Sequence, residues 1–161
     1  MEAVLAGLFA IGGTLLGSLV TYLFQQRATQ RAEQFTISAR LREERMAVYS
    51  GFAGTVLEFR SAQYHRALQG FEGKEGAAYD EAKAASYRLR SAAWHSLYRV
   101  RLLADDPGIT RLAENAMALV ADMHDADRAV LTRRGDEVRQ AVEEFIAAAS
   151  EEVTRVKPLP K

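Results

Sequence analysis

At 161 residues the chain has room for one domain of ordinary size and an accessory segment. Its 21 basic side chains balance 21 acidic ones, which argues against nucleic acid as a partner, because such proteins carry a basic excess. There is no cysteine, so disulfides, thiolate catalysis and cysteine metal sites are excluded.

The stretch Ala3 to Phe24 contains no charged residue. As a helix it spans about 33 Å, enough for a hydrocarbon core of about 30 Å. Residues 1–24 are therefore expected to form a transmembrane anchor. A cleavable signal peptide fits less well: Glu2 has the wrong sign for its start, and Tyr22, Leu23 and Phe24 stand where small residues are wanted. After the anchor come Arg27, Arg31, Arg40, Arg42 and Arg45, offset by Glu33, Glu43 and Glu44. By the positive-inside rule the N-terminus lies outside the inner (cytoplasmic) membrane and the rest of the single-pass chain in the cytoplasm. Ala6, Ala10, Gly13 and Gly17 recur at helical spacing and form a small-residue groove suited to helix pairing, either between copies or with a membrane partner.

From Gln25 to Gln69 there is no proline, so the anchor is expected to continue as a long helix. Residues 25–40 form its polar stem, a candidate for coiled-coil self-association. Beyond it Ile37, Leu41, Val48, Phe52, Val56 and Phe59 mark a buried face. The glycines of Gly70 to Gly76 predict a loop, and a second helix follows from Ala77 to Ala104, with Tyr87, Trp94 and Tyr98 as a core stripe. Asp106 and Pro107 are placed to cap and open a third helix. That helix carries Ile109, Leu112, Ala116, Leu119, Val120 and Met123 and fades near Thr132. Gly135 is expected to break the pattern, and Asp136 to cap a fourth helix carrying Val138, Val142, Phe145, Ala149 and Val153, ended by Pro158 and Pro160. No strand pattern occurs. The expected fold is all-α: the anchor and stem, an antiparallel up-and-down four-helix bundle over 41–157, and a tail, 158–161.

Two runs carry a family likeness. Arg42 to Phe52 has the cadence Arg45, Tyr49, Phe52, and Tyr98-Arg99-Val100-Arg101-Leu102-Leu103-Ala104 leads through an Asp-Pro break into an Ala-rich helix. Together they resemble a group of small actinobacterial proteins with an N-terminal membrane helix and a helical cytoplasmic region. The resemblance implies that architecture and assigns no functional residue.

Catalytic signatures are missing from the sequence, and an enzyme is not expected. None of His65, His95 and His124 has a glutamate three residues before it, as a di-iron bundle requires, and there is no HExxH and no P-loop. Asp122 and Asp125, one helical turn apart beside His124 and Asp127, could share a metal ion. A solvated helix end facing Arg128, Arg133 and Arg134 explains them better, so no metal or cofactor is expected. Arg88, His95 and Arg99 line one side of the second helix, where they either contact an anion or a partner or pair with glutamates of neighbouring helices. The leading expectation is a membrane-tethered interaction or scaffold module that recruits a protein partner. The main alternative is an accessory subunit of a transport, secretion or conjugation complex, held through its transmembrane helix; a second is an enzyme with an inconspicuous active site, a pocket gathering polar groups such as His95 with a carboxylate.

Overall fold

The computed structural model describes the backbone from Glu2 to Arg155, and the side chains of Tyr22, Gln25, Gln26 and residues 35–155. The helices are α1 (Glu2–Glu72), α2 (Ala77–Leu103), α3 (Pro107–Ala121) and α4 (Arg128–Thr154), with a short 3-10 turn at Met123–Asp125. Among the described residues there is no strand, and no helix is long and apolar enough to cross a membrane. The side chains expected to form the anchor and its groove, including Ala6, Ala10, Gly13 and Gly17, lie outside the described residues. So do Pro158 and Pro160.

The chain divides into two units, Met1–Arg42 and Glu43–Lys161. In the first, Ile37 and Leu41 were expected on the buried face, yet they are 66% and 38% exposed. Among the described residues the core positions of α1 begin at Val48, so the apolar period at Ile37 and Leu41 is not used for packing in the second unit.

In the second unit Val48, Phe52, Val56 and Phe59 of α1 are buried together with Val138, Val142 and Phe145 of α4 and Ile109, Ala116 and Val120 of α3. Edge-to-face packing of Phe52 on Phe145, with centroids 4.9 Å apart, sits at the centre. Two corrections to the expected helix limits have local causes. Glycine breaks the chain later than its clustering suggests: α1 continues to Glu72, and the turn is confined to the stretch around Gly76, whose φ of 109° a β-carbon would strain. Gly135 does not break a helix: α3 ends at Ala121 and α4 starts at Arg128, behind its N-cap Asp127, so Gly135 lies within α4. There Arg60 of α1 donates Nη1 to the Gly135 carbonyl at 2.9 Å, an approach that the missing side chain leaves open. The Asp106 cap forms as expected, accepting from the Gly108 amide at 2.7 Å, with Pro107 in the first turn.

Polar clasps at the two ends establish the direction of the helices. At one end the Glu152 carboxylate of α4 accepts from the Tyr49 hydroxyl at 2.7 Å and the Asp106 amide at 3.0 Å. Arg45 lies 3.6 Å from Glu152 and 2.9 Å from Asp105, and donates Nε to the Leu103 carbonyl. About five turns along α1, Gln63 donates to the Val120 and Ala121 carbonyls and accepts from Ser86 at 2.6 Å. Within this unit α1 therefore runs against α2 and α4 and alongside α3.

Burial and the Glu152 carboxylate push the Tyr49 hydroxyl above its ordinary range. His124 is pushed the other way by burial and by the Arg66 guanidinium, against the weaker pull of Asp125 and Asp122. Its Nδ1 meets the Gln63 amide nitrogen at 3.2 Å, and that amide is oriented by its other partners, so a protonated ring would set a donor against a donor.

Breaking the clasp with Glu152→Ala should lower unfolding free energy by about 1–3 kcal/mol, because the buried Tyr49 hydroxyl loses its acceptor while Arg45 keeps Asp105. Tyr49→Phe should remove about 1–2 kcal/mol, and Phe145→Ala about 3–5 kcal/mol, all read from urea midpoints of the full chain. The fold favours neutral His124, so its contribution is whole above pH about 6.5 and is lost as the pH falls. The fold also favours neutral Tyr49, so its contribution is whole below pH about 10 and is lost as the pH rises. Melting curves should show both losses, with the acid step reduced in His124→Asn and the alkaline step reduced in Tyr49→Phe.

Candidate partner-binding face

The solvent side of α2 is where the structure departs most from expectation. Two stripes on this helix share the same spacing. Ser86, Ala93, Leu97 and Val100 form one; Tyr87, Trp94, Tyr98 and Arg101, each a single residue later, form the other, rotated by about 100°. Hydrophobic period alone cannot choose between them, and the aromatic stripe is the one expected in the core. The structure buries the first and exposes the second, with Tyr87 51%, Trp94 37%, Tyr98 51% and Leu102 83% exposed. Small side chains on the inner stripe let α2 lie close to its neighbours, whereas three large rings there would hold it away. A sequence signal for this existed: from Ala82 onward the inner sector of α2 carries no charge, while the aromatic sector is bordered by arginine on both sides.

Trp94 and Tyr98 lean on each other with ring centroids 5.9 Å apart. The Arg101 guanidinium lies over the Tyr98 ring at 5.9 Å and donates Nε to Glu114 of α3 at 3.0 Å. At the other end of the row, Arg66 of α1 lies against the Tyr87 ring at 5.4 Å. Arg66 is only 9% exposed, its Nε has no hydrogen-bond partner, and it forms no ion pair among the described residues. Arg88, His95 and Arg99 are all exposed beside the aromatic row, and none forms an ion pair among the described residues. The glutamate pairing weighed for them is therefore not seen. The face combines flat rings that lose little rotamer freedom on contact with arginines of which Arg88, Arg99 and Arg66 form no ion pair among the described residues, a composition favoured at the energetic centre of interfaces.

The remaining concave sites carry less chemistry. A groove of about 420 Å³ between α1 and α4 is lined by Met46, Ile146, Ala149 and Val153, with the Tyr49 ring at its base. A hollow of about 300 Å³ collects Arg60, Tyr64, Thr132 and Asp136. His95, the histidine considered for an inconspicuous active site, lines neither. Among the described residues no group of three or more acidic or histidine side chains could hold a metal ion. The cluster considered for one is taken apart by the helix end: Asp122 is the C-cap of α3, and Asp125 sits 3.3 Å from His124 in the 3-10 turn. The arginines expected to face it are engaged elsewhere, Arg133 and Arg134 with Glu137 and Arg128 over the Phe71 ring.

No curated protein and no solved structure matches the chain. The family model of the KilB plasmid transfer protein does match, over residues 46–153, a stretch that contains the Tyr49–Glu152 contact and the whole aromatic face of α2. With most of its length so matched, the chain belongs to the KilB plasmid transfer family.

Proposed function

We propose that the protein is a non-catalytic accessory subunit of a plasmid-transfer apparatus, in which the helical unit recruits another protein of that apparatus through the outer face of α2. The observation that carries this reading is the exposed Tyr87–Trp94–Tyr98 row, flanked by Arg88 and Arg99 with no ion pair among the described residues, within the residues that match a plasmid-transfer family. Family membership supports the process, and the composition of the face supports the mode of action. The uncharged run Ala3 to Phe24, followed by Arg27 and Arg31, supports a single membrane anchor that holds this unit at the inner face of the cytoplasmic membrane.

A second reading is supported by the small-residue groove of Ala6, Ala10, Gly13 and Gly17. In it the anchor itself packs against a multi-pass membrane partner or a second copy, and the helical unit only assists. Replacing residues 1–24 with an unrelated apolar helix separates the two. Transfer retained supports recruitment by the α2 face, and transfer lost supports the anchor as the main contact.

Trp94→Ala combined with Tyr98→Ala should lower plasmid transfer frequency between mating cells at least about tenfold, as expected for loss of interface anchors. The same variant should stay folded with a single cooperative urea transition, because neither ring belongs to the buried core. Wild-type transfer by this double variant would overturn the reading. For the anchor, a C-terminal tag should resist protease added to intact spheroplasts, on a chain of full length. A digested tag or a shortened chain would place the unit outside the cytoplasm.

A further inference from the structure

We infer that the occupant of the α2 face is a short acidic segment of the partner protein, which places carboxylates against Arg88, Arg99 and Arg66 and apolar side chains on Trp94 and Leu102. The inference rests on the proposed docking role of this face and names the chemistry of what docks there.

Charge complementarity is the first argument. Although the whole chain is neutral, α2 from Ala82 to Leu103 contains arginines, a lysine and a histidine but no acidic residue. Arg88, Arg90 and Arg99 stand exposed with no carboxylate partner among the described residues. Arg66 is the stronger indication. A guanidinium taken largely out of water without a counter-ion is unfavourable, and the face of Tyr87 compensates only in part. A carboxylate arriving beside Tyr87 would complete the set of contacts that the monomer leaves open.

The extent of the cationic row decides between classes of anionic partner. From Tyr87 to Leu102 it spans about 22 Å of helix. Acidic residues bound it at both ends, Asp80 and Glu81 before it and Asp105 and Asp106 after it, with Glu114 of α3 alongside Arg101. An anionic membrane surface or a nucleic-acid backbone presents charge continuously and would press against those carboxylates. A peptide segment of about four turns carries a few discrete carboxylates, which can stand at Arg88, Arg66 and Arg99 with none beyond the ends of the row, and so avoids them. The aromatic row then supplies apolar contact and the flanking arginines supply register, each through groups already exposed.

The test uses the full chain in membranes of transfer-competent donor cells and two crosslinking chemistries. Arg88→Lys and Arg99→Lys keep the charge and introduce an amine, which a carbodiimide joins only to a carboxylate in direct contact. Separately, a photoreactive benzoylphenylalanine in place of Trp94 joins whatever covers the row, acidic or not. The expected result is a carbodiimide adduct absent from the unsubstituted chain and from Arg88→Gln, with the same protein in the photo-adduct and an Asp- or Glu-rich contact peptide. A protein photo-adduct without any lysine-dependent carbodiimide adduct would overturn the acidic segment and leave the docking role standing. Photo-adducts with phospholipid or DNA alone, or no adduct in either arm, would overturn both.

Discussion

The carboxylate of Glu152 is the point at which the second unit is tied together, because two parts of the chain far from it in sequence, α1 and the α2–α3 turn, both direct polar groups at it. Tyr49 brings α1, the Asp106 amide brings the turn between α2 and α3, and Arg45 bridges from α1 to Asp105 in that same turn. A buried ion pair gives modest net stability, since desolvation opposes it. Its effect here is on registry: any slide of α4 along α1 leaves the Glu152 carboxylate and the Tyr49 phenol unpaired, while Arg45 keeps Asp105 and the Leu103 carbonyl. Gln63 imposes the same demand at the opposite end, where α3 closes and its last carbonyls need a donor. Between these two polar ends the interior is apolar, with Phe52 packed on Phe145, and apolar packing alone tolerates alternative alignments better than hydrogen bonds do.

That arrangement explains why α2 has an outer face to spare. Ser86 bonds to Gln63 near one end and Leu103 receives Arg45 at the other, while Ala93, Leu97 and Val100 fill the space between. With both ends held and a narrow inner stripe, the aromatic side chains contribute nothing to closing the core and remain in water. Large exposed rings are unfavourable for solubility unless a partner covers them. Their arginine border both keeps the uncovered face soluble and restricts what can cover it.

The matched family region begins at Met46 and ends at Val153, within the second unit. It takes in the Tyr49–Glu152 contact, the Gln63 network and the α2 face together. The cadence Arg45, Tyr49, Phe52, which carried the resemblance in the sequence, is accounted for by the structure: the first two residues reach the clasp and the third the central aromatic pair.

Much of the helical layout was legible from residues alone. The all-α character followed from period and the lack of strand patterns, the α2–α3 turn from Asp106 and Pro107, and the α1 and α4 cores from Val48, Phe52, Phe59, Val138 and Phe145. These depend on local backbone chemistry and on stripes with no competitor. Where two local readings were equally good, only packing decided. Gly135 reads as a break but lies inside a helix, because a helical glycine costs only about 1 kcal/mol and its bare carbonyl receives Arg60. The aromatic stripe of α2 reads as core but faces solvent, because the volume left beside α1 and α3 admits alanine, leucine and valine and not three rings. Period sets which residues share a face; which face turns inward is decided by the space the other helices leave.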